Sequence, residues 1–517
     1  MTVDLSQYRN RVPLGQREAE PNSDAADRKG LSYPSYGRNN QHIMSDKAEQ
    51  TTLLDRTWNS LRQALRDIGS SRRSLDAIDP RPDMPDSDAE ILREQMRACL
   101  EGRGGEVTAR ARAAALGRAY LSLNTVGRRR YLHILADEFS VDHAAVAAAV
   151  EEFRSAESEE ERQRCEEALR RALESPRMAL LTQFNALQEG VKFLVDMRGE
   201  LMALLREDPG LRGLEGDLKR LLASWFDVGF LDLRRITWNA PASLLEKLID
   251  YEAVHEIRSW ADLKNRLDSD RRCYAFFHPR MPDEPLIFVE VALVTGMASD
   301  VHVLLDEQSP VEDPAIADTA IFYSISNAQK GLAGISFGNF LIKRVVDDLS
   351  SEFKNLRTFA TLSPIPGFCR WLNARVEAEG DDLLTEAEVR SLEASGMPEG
   401  DGPVLARALA VEGWHRDDAL ADALKGPIMR LGANFLLREK GRDGRAADPV
   451  AHFHLSNGAR MERLNWMGDA SEKGLRESAG LMINYLYKLD SIDANHETYT
   501  DERKIAASPA IRSLAKG

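Results

Sequence analysis

The chain predicts an α+β architecture in which an all-helical bundle domain precedes an α/β domain built on a mixed sheet. Three observations carry that prediction. Residues 45–228 are dominated by Ala, Leu, Arg and Glu in helical periodicity. β-Branched and aromatic runs begin only beyond about residue 229, after breaks at Asp208-Pro209-Gly210 and Trp225. Between Ala317 and Phe368 a strand, a glycine-studded turn, a helix and a second strand follow one another.

In the helical half, Leu180, Phe184, Leu187, Val191, Leu194, Met197, Leu201 and Leu204 recur every three or four residues. They predict one long helix with a single apolar stripe, serving a bundle core or a seam between copies of the chain. The acidic run Glu157 to Glu167 reads as a solvated helix face. Residues 1–44 lack periodicity, are rich in polar residues and glycine, and read as a disordered tail.

In the second half, strands are predicted at Cys273 to Phe277, Leu286 to Val294, Ala317 to Ser326 and Thr358 to Leu362. The nearly unbroken apolar run Leu286 to Val294 belongs in the middle of a sheet. Helical pattern returns between about 384 and 440. His452 to Leu455 reads as a strand of a hairpin turning at Asn457-Gly458, which puts His452 and His454 on one strand face.

Lys and Arg number 68 against 83 Asp and Glu, a net charge of -15. That balance argues against nucleic acid or an anionic membrane as partner, and it requires local donors for any anionic ligand. Cys99, Cys165, Cys273 and Cys369 have no paired spacing, so neither a disulfide framework nor a zinc site is read. No apolar run approaches the roughly 18 residues of a membrane span. With acidic residues such as Asp4, Glu18 and Glu20 near the start, the reading is a cytoplasmic protein.

The chemistry concentrates in the segment 317–368. A strand feeding a Gly-rich turn at a helix N-terminus offers free amides and the positive end of a helix dipole to a phosphate. The turn lacks the Gly-Lys-Ser/Thr ending of a P-loop and the spacing of a dinucleotide fingerprint. Gly334-Ile335-Ser336-Phe337-Gly338 matches a nucleophile elbow formally, but residues 327–333 separate it from its strand, so the match is taken as coincidental. Ser363 stands at the end of the second strand, in Leu-Ser-Pro-Ile-Pro-Gly-Phe, where two prolines impose a rigid exit. His452 and His454 have no third metal ligand at suitable spacing, so no metal is read. The aromatic run Met482 to Tyr487 reads as core, with a Tyr hydroxyl able to orient a substrate.

Several of these segments resemble the malonyl-CoA decarboxylase family. They are Arg234 to Trp238, Arg272-Cys273-Tyr274, Ala320 to Ser326, Phe340 to Val346, Leu362 to Phe368, Phe453 to Ala459 and Asn465-Trp466-Met467, in colinear order over about 230–517. The resemblance implies a helical domain joined to a catalytic domain of the GNAT acyltransferase fold at 229–517. It implies that Ala333, Gly334, Ile335, Ser336, Phe337, Gly338 and Asn339 receive the CoA pyrophosphate. It further implies that Ser363 and His454 form the catalytic pair, with Tyr487 at the same site. Some members are expected to carry a Glu where this chain has Ser336, so any role of that acid does not carry over.

The activity so implied converts malonyl-CoA to acetyl-CoA and CO2 without metal or biotin, in a homodimer or homotetramer. His454 is expected to cycle with a pKa near 6.5 as proton donor. Ser363 would act as hydrogen-bond donor, relay or proton acceptor. The competing readings are a GNAT-type acyl-CoA transferase, which would need a second substrate, and a non-catalytic CoA-binding scaffold.

Overall fold

The computed structural model describes residues 79–516, apart from 103–104, 188, 336–339 and 442. The N-terminal segment read as a disordered tail lies outside the described residues, as do Ser336, Phe337, Gly338 and Asn339 of the Gly-rich turn. From Asp86 to Trp225 the described chain is helical, and the first strand begins at Asp232.

The apolar stripe of the helical half is not one helix. Helix Pro176–Gln183 ends in a 3-10 turn at Phe184–Ala186, and helix Gly190–Leu204 restarts after Glu189 in the left-handed region at φ 57°. Gly190 permits that restart, because a Cβ there would stand 1.9 Å from the Phe184 carbonyl oxygen. Leu180, Phe184, Leu187, Val191, Leu194, Met197 and Leu201 are all buried in the chain's own core. The stripe therefore serves the chain's own core along most of its length. Helix Glu159–Ala172 carries the acidic run, opens with a Ser158/Glu161 capping box and buries nothing, as a solvated helix face should.

Among the described residues, eight strands form one mixed sheet: β1 (Asp232–Ile236), β2 (Arg271–His278), β3 (Met281–Val294), β4 (Thr319–Asn327), β5 (Thr358–Thr361), β6 (Ser363–Pro364), β7 (Arg460–Asn465) and β8 (Met482–Leu486). Their order is β1-β2-β3-β4-β5-β8-β6, with β7 also on β8. Among these described strands only β4 and β5 pair in parallel, joined by helix Phe340–Glu352, which is the crossover a parallel pair needs. That helix buries Leu341, Ile342, Val345, Val346 and Leu349, the i, i+4, i+8 spacing of one face.

β3 lies between β2 and β4, as its apolar run predicts. Both faces of β2 are covered. Cys273, Ala275 and Phe277 pack with Leu245, Leu248 and Leu263 on one side, while Tyr274 and Phe276 join the main core on the other. Period-two alternation produces that division.

Two irregularities open the sheet beside Ser363. The β3–β4 register slips between Glu290↔Ser324 and Val291↔Phe322, leaving Tyr323 as an extra residue in a β-bulge. The β4–β5 ladder stops at Phe322↔Thr361, although β4 continues to Asn327. After Leu362 the other strand turns to pair Ser363 with Ile483 of β8. Two strands that begin side by side thus part, and Ser363 sits just beyond the fork.

Candidate active site

The segment read as a hairpin strand is a helix, Pro449–Ser456. Asp448 caps its start by accepting from the Val450 and Ala451 amides at 3.0 and 2.9 Å, Pro449 occupies the first turn, and Gly458 ends it at φ 78°. Asn-Gly here is a helix C-terminus rather than a hairpin turn. On a helix, residues two apart point in nearly opposite directions, so His452 and His454 do not share a face. His454 turns inward and is 3% exposed, whereas His452 is half-buried along an open cleft.

His454 meets Ser363 at the fork, with Nε2 at 3.1 Å from Ser363 Oγ. On its other side Nδ1 lies 2.8 Å from the Tyr487 hydroxyl. The three residues proposed from sequence are therefore one hydrogen-bonded chain across 124 sequence positions (363 to 487). Ser363 Oγ donates to Thr361 Oγ1 at 2.8 Å, and Thr361 Oγ1 also accepts the Tyr485 amide at 3.2 Å. With its own proton on Thr361, Ser363 accepts from His454 Nε2–H. That leaves Nδ1 to accept from the Tyr487 O–H, so the neighbours select the Nε2–H tautomer.

This chain of hydrogen bonds is dry. Ser363, Tyr487 and Thr361 are all buried, and the Tyr485 ring stacks on His454 with centroids 4.5 Å apart. Burial with no compensating charge lowers the imidazole to about pKa 3, and it pushes the Tyr487 phenol well above its usual value. The free protein therefore holds a neutral His454 at physiological pH. A donor cycling near 6.5 is not what this pocket provides.

Three further residues brace the pair, and the sequence did not single out any of them. Thr361 holds the serine hydroxyl. Asn484, fully buried, donates to the Thr361 carbonyl at 2.7 Å. Asp448, besides capping the His454 helix, accepts the Gly367 amide at 3.0 Å and so ties the Pro-rich exit of Ser363 to the start of that helix. Asp448 followed by Pro449 is a readable helix-start signal, and it could have been found.

On the other side of helix Pro449–Ser456 lies a cleft of about 600 Å³, lined by Ile287, Asn327, Gly334, Ile335, Arg445, His452, Phe453 and Arg503 among others. Ile287 and Asn327 are paired at the end of the β3–β4 ladder, so the cleft borders the part of β4 that continues past its last pair with β5. In the Gly-rich turn, Ala333 and Gly334 are exposed, while the Ile335 side chain is buried. The Ala333 and Ile335 amides are engaged within the turn, donating to Lys330 and Leu332 carbonyls at 3.1 and 3.0 Å. Among the described residues assigned to the pyrophosphate, only Gly334 keeps an amide without a partner.

The helical half holds this turn. Arg198, 1% exposed, donates to the Gly331 carbonyl at 2.5 Å and the Ala333 carbonyl at 3.0 Å, with Glu215 as its counter-ion at 2.7 Å. Gly331 is required for the approach, since a Cβ there would stand 1.7 Å from the Val195 carbonyl oxygen.

A mixed sheet with a strand fork, a buried Ser–His–Tyr chain and an open cleft nearby form a candidate enzyme site. Solved structures share the fold. A malonyl-CoA decarboxylase from Rhodopseudomonas palustris superposes with a TM-score of 0.74 at 44% identity, covering 82% of this chain and 99% of its own. One from Agrobacterium vitis gives 0.72 at 41% identity, covering 82% and 99%. The family models for the malonyl-CoA decarboxylase N-terminal and C-terminal domains match residues 139–226 and 229–517. Curated relatives named malonyl-CoA decarboxylase, mitochondrial, from Rattus norvegicus and Mus musculus are 39% and 40% identical, each covering 83% of this chain and 89% of the relative. The chain belongs to the malonyl-CoA decarboxylase family. No helix among its described residues is long and apolar enough to cross a membrane.

Proposed function

We propose that this chain converts malonyl-CoA to acetyl-CoA and CO2 at the Ser363–His454–Tyr487 chain. The observation that carries the reading is the 3.1 Å contact of Ser363 with His454 in a water-poor pocket at the parting of β4 and β5. The fork and the bulge at Tyr323 support the GNAT-type arrangement, with the acyl arm passing between the strands. The exposed turn at Ala333 and Gly334 takes the pyrophosphate end.

The chemistry needs an electron sink, a twisted carboxylate and one proton. As the C–C bond to the carboxylate breaks, its electron pair moves to C2 and the thioester carbonyl, so the substrate is its own sink and no step is routed through a metal or biotin. The proton is supplied by coupling. A malonyl carboxylate entering a dry pocket brings a negative charge beside His454, and an opposite charge favours the imidazolium. His454 takes up a proton at Nδ1, with Tyr487 turning to accept. As CO2 leaves and charge moves to C2, the Ser363 hydroxyl swings from Thr361 to C2 and gives its proton there, and His454 Nε2–H restores the serine. The sum is malonyl-CoA plus one proton to acetyl-CoA plus CO2.

The test is incubation of the pure protein with malonyl-CoA alone. Acetyl-CoA and CO2 should form in equal amounts without a second substrate. A requirement for an amine acceptor, or binding without turnover, would overturn the reading.

A further inference from the structure

The cleft that Gly334 lines is also bordered by two arginines, in a chain of net charge -15. Arg445 and Arg503 both line it, and Gly444 beside Arg445 comes within 4.0 Å of the Arg503 side chain, measured from a Cβ built on it. Arg445 is shared with Asp443 at 3.4 Å, whereas Arg503 has no carboxylate within ion-pair distance among the described residues. Arg503 also borders a second groove with Arg438, Lys440, Lys504, Arg512 and Lys516 and no acidic lining residue, so the local field there is strongly positive. Finally, Arg503 is one of five described non-glycine residues with positive φ, at 56°. An unpaired guanidinium on a strained backbone at the wall of a cleft marks a place kept for an anion.

We infer that Arg503, assisted by Arg445, seats the ribose 3′-phosphate of the CoA moiety, making these two arginines the discriminator between CoA and 3′-dephospho-CoA thioesters. The inference rests on the malonyl-CoA reading above. If the pyrophosphate lies at the Gly334 turn, the remaining charged group of the ligand is the 3′-monoester. A phosphate monoester is what a planar guanidinium fork pairs with in two parallel hydrogen bonds.

The experiment compares kcat/KM for malonyl-CoA and malonyl-3′-dephospho-CoA in the unaltered protein, Arg503→Gly and Arg445→Met. Glycine accepts φ 56° without strain, so Arg503→Gly removes the cation while relieving the backbone. The unaltered protein should prefer malonyl-CoA by about tenfold or more, the scale of one charge-assisted hydrogen-bonding pair. In Arg503→Gly that preference should fall to about one- to twofold, with a smaller fall in Arg445→Met. A preference unchanged in Arg503→Gly, or equal losses on both substrates, overturns the 3′-phosphate seat and leaves the decarboxylase reading standing. No turnover of either substrate by the unaltered protein overturns both.

Discussion

The two sides of helix Pro449–Ser456 differ in almost every physical respect. On the inner side, His454, Ser363, Tyr487 and Thr361 are buried, mutually hydrogen-bonded and neutral. On the outer side, His452, Arg445 and Arg503 are partly exposed around a cleft open to water, with charge in excess. One short helix separates them, and its residues divide between the two because consecutive helical positions turn by 100°. The difference assigns tasks. A dry pocket magnifies the effect of a single entering charge, which suits a reaction whose charge moves from carboxylate to enolate. A wet cationic groove suits recognition of a phosphorylated handle whose charges do not change during the reaction.

Breaking the inner side should have the largest effect. Ser363→Ala and His454→Ala should each lower kcat for malonyl-CoA by about 10²- to 10⁴-fold, the range of a positioned proton donor, with folding retained by circular dichroism. Near-normal CO2 release from either would remove that residue from the relay.

Thr361→Val should act next, because it keeps the shape and removes the acceptor that orients the Ser363 hydroxyl. A loss of about tenfold in kcat with little change in KM is the expected split, and Thr361→Ser should restore most of it. Asp448→Ala belongs with it as a loss of both structure and activity. It removes a helix cap and the Gly367 tie, at a cost of about 1–2 kcal/mol in denaturant unfolding.

The outer side and its support should respond in KM instead. Arg198→Met removes the guanidinium that holds the Gly331 and Ala333 carbonyls, and it should raise KM for malonyl-CoA several-fold with kcat nearly retained. Arg198→Lys, which keeps charge but not the fork, should recover only part. Equal falls in kcat and kcat/KM would show that the brace serves the inner side as well.

The smallest effect is on stability against pH. His454 is depressed to about 3 and His255 to about 4, both by burial, below the ordinary value near 6.5. Between those values and 6.5 the unfolded chain binds more protons than the folded one, so stability rises with pH through that window and falls on acidification. Glu290, pushed up to about 8 by burial, acts in the opposite sense, so the test is the difference: from pH 7 to pH 5 the denaturant midpoint should fall further, or rise less, in the unaltered protein than in His454→Phe.

Much of this arrangement is legible in the sequence because its signals are local. The strand at Leu286–Val294, the crossover helix at 340–352 and the rigid exit after Ser363 all follow from short runs of residues. His454 is legible as a residue but not as part of a helix. Asn457-Gly458 ends a helix as readily as it turns a hairpin, and only Asp448-Pro449 upstream decides between them. The long apolar stripe reads as one helix because periodicity survives a 3-10 turn and a left-handed Glu189. Thr361 looks like an ordinary β-branched strand residue. Arg198 cannot be read at all, since its partner carbonyls lie 133 and 135 positions away and main-chain acceptors leave no trace in side-chain sequence.

The neutrality of His454 in the free protein, and its gain of a proton when a malonyl carboxylate enters, is best measured by ¹⁵N resonances of the histidine ring. Spectra would be taken between pH 5 and 8 with and without a non-decarboxylating malonyl thioether of CoA. The arrangement predicts an unprotonated Nδ1, the Nε2–H tautomer, throughout that range in the free protein and an imidazolium in the complex. An imidazole that titrates near 6.5 in the free protein, or stays neutral with the thioether bound, would contradict it.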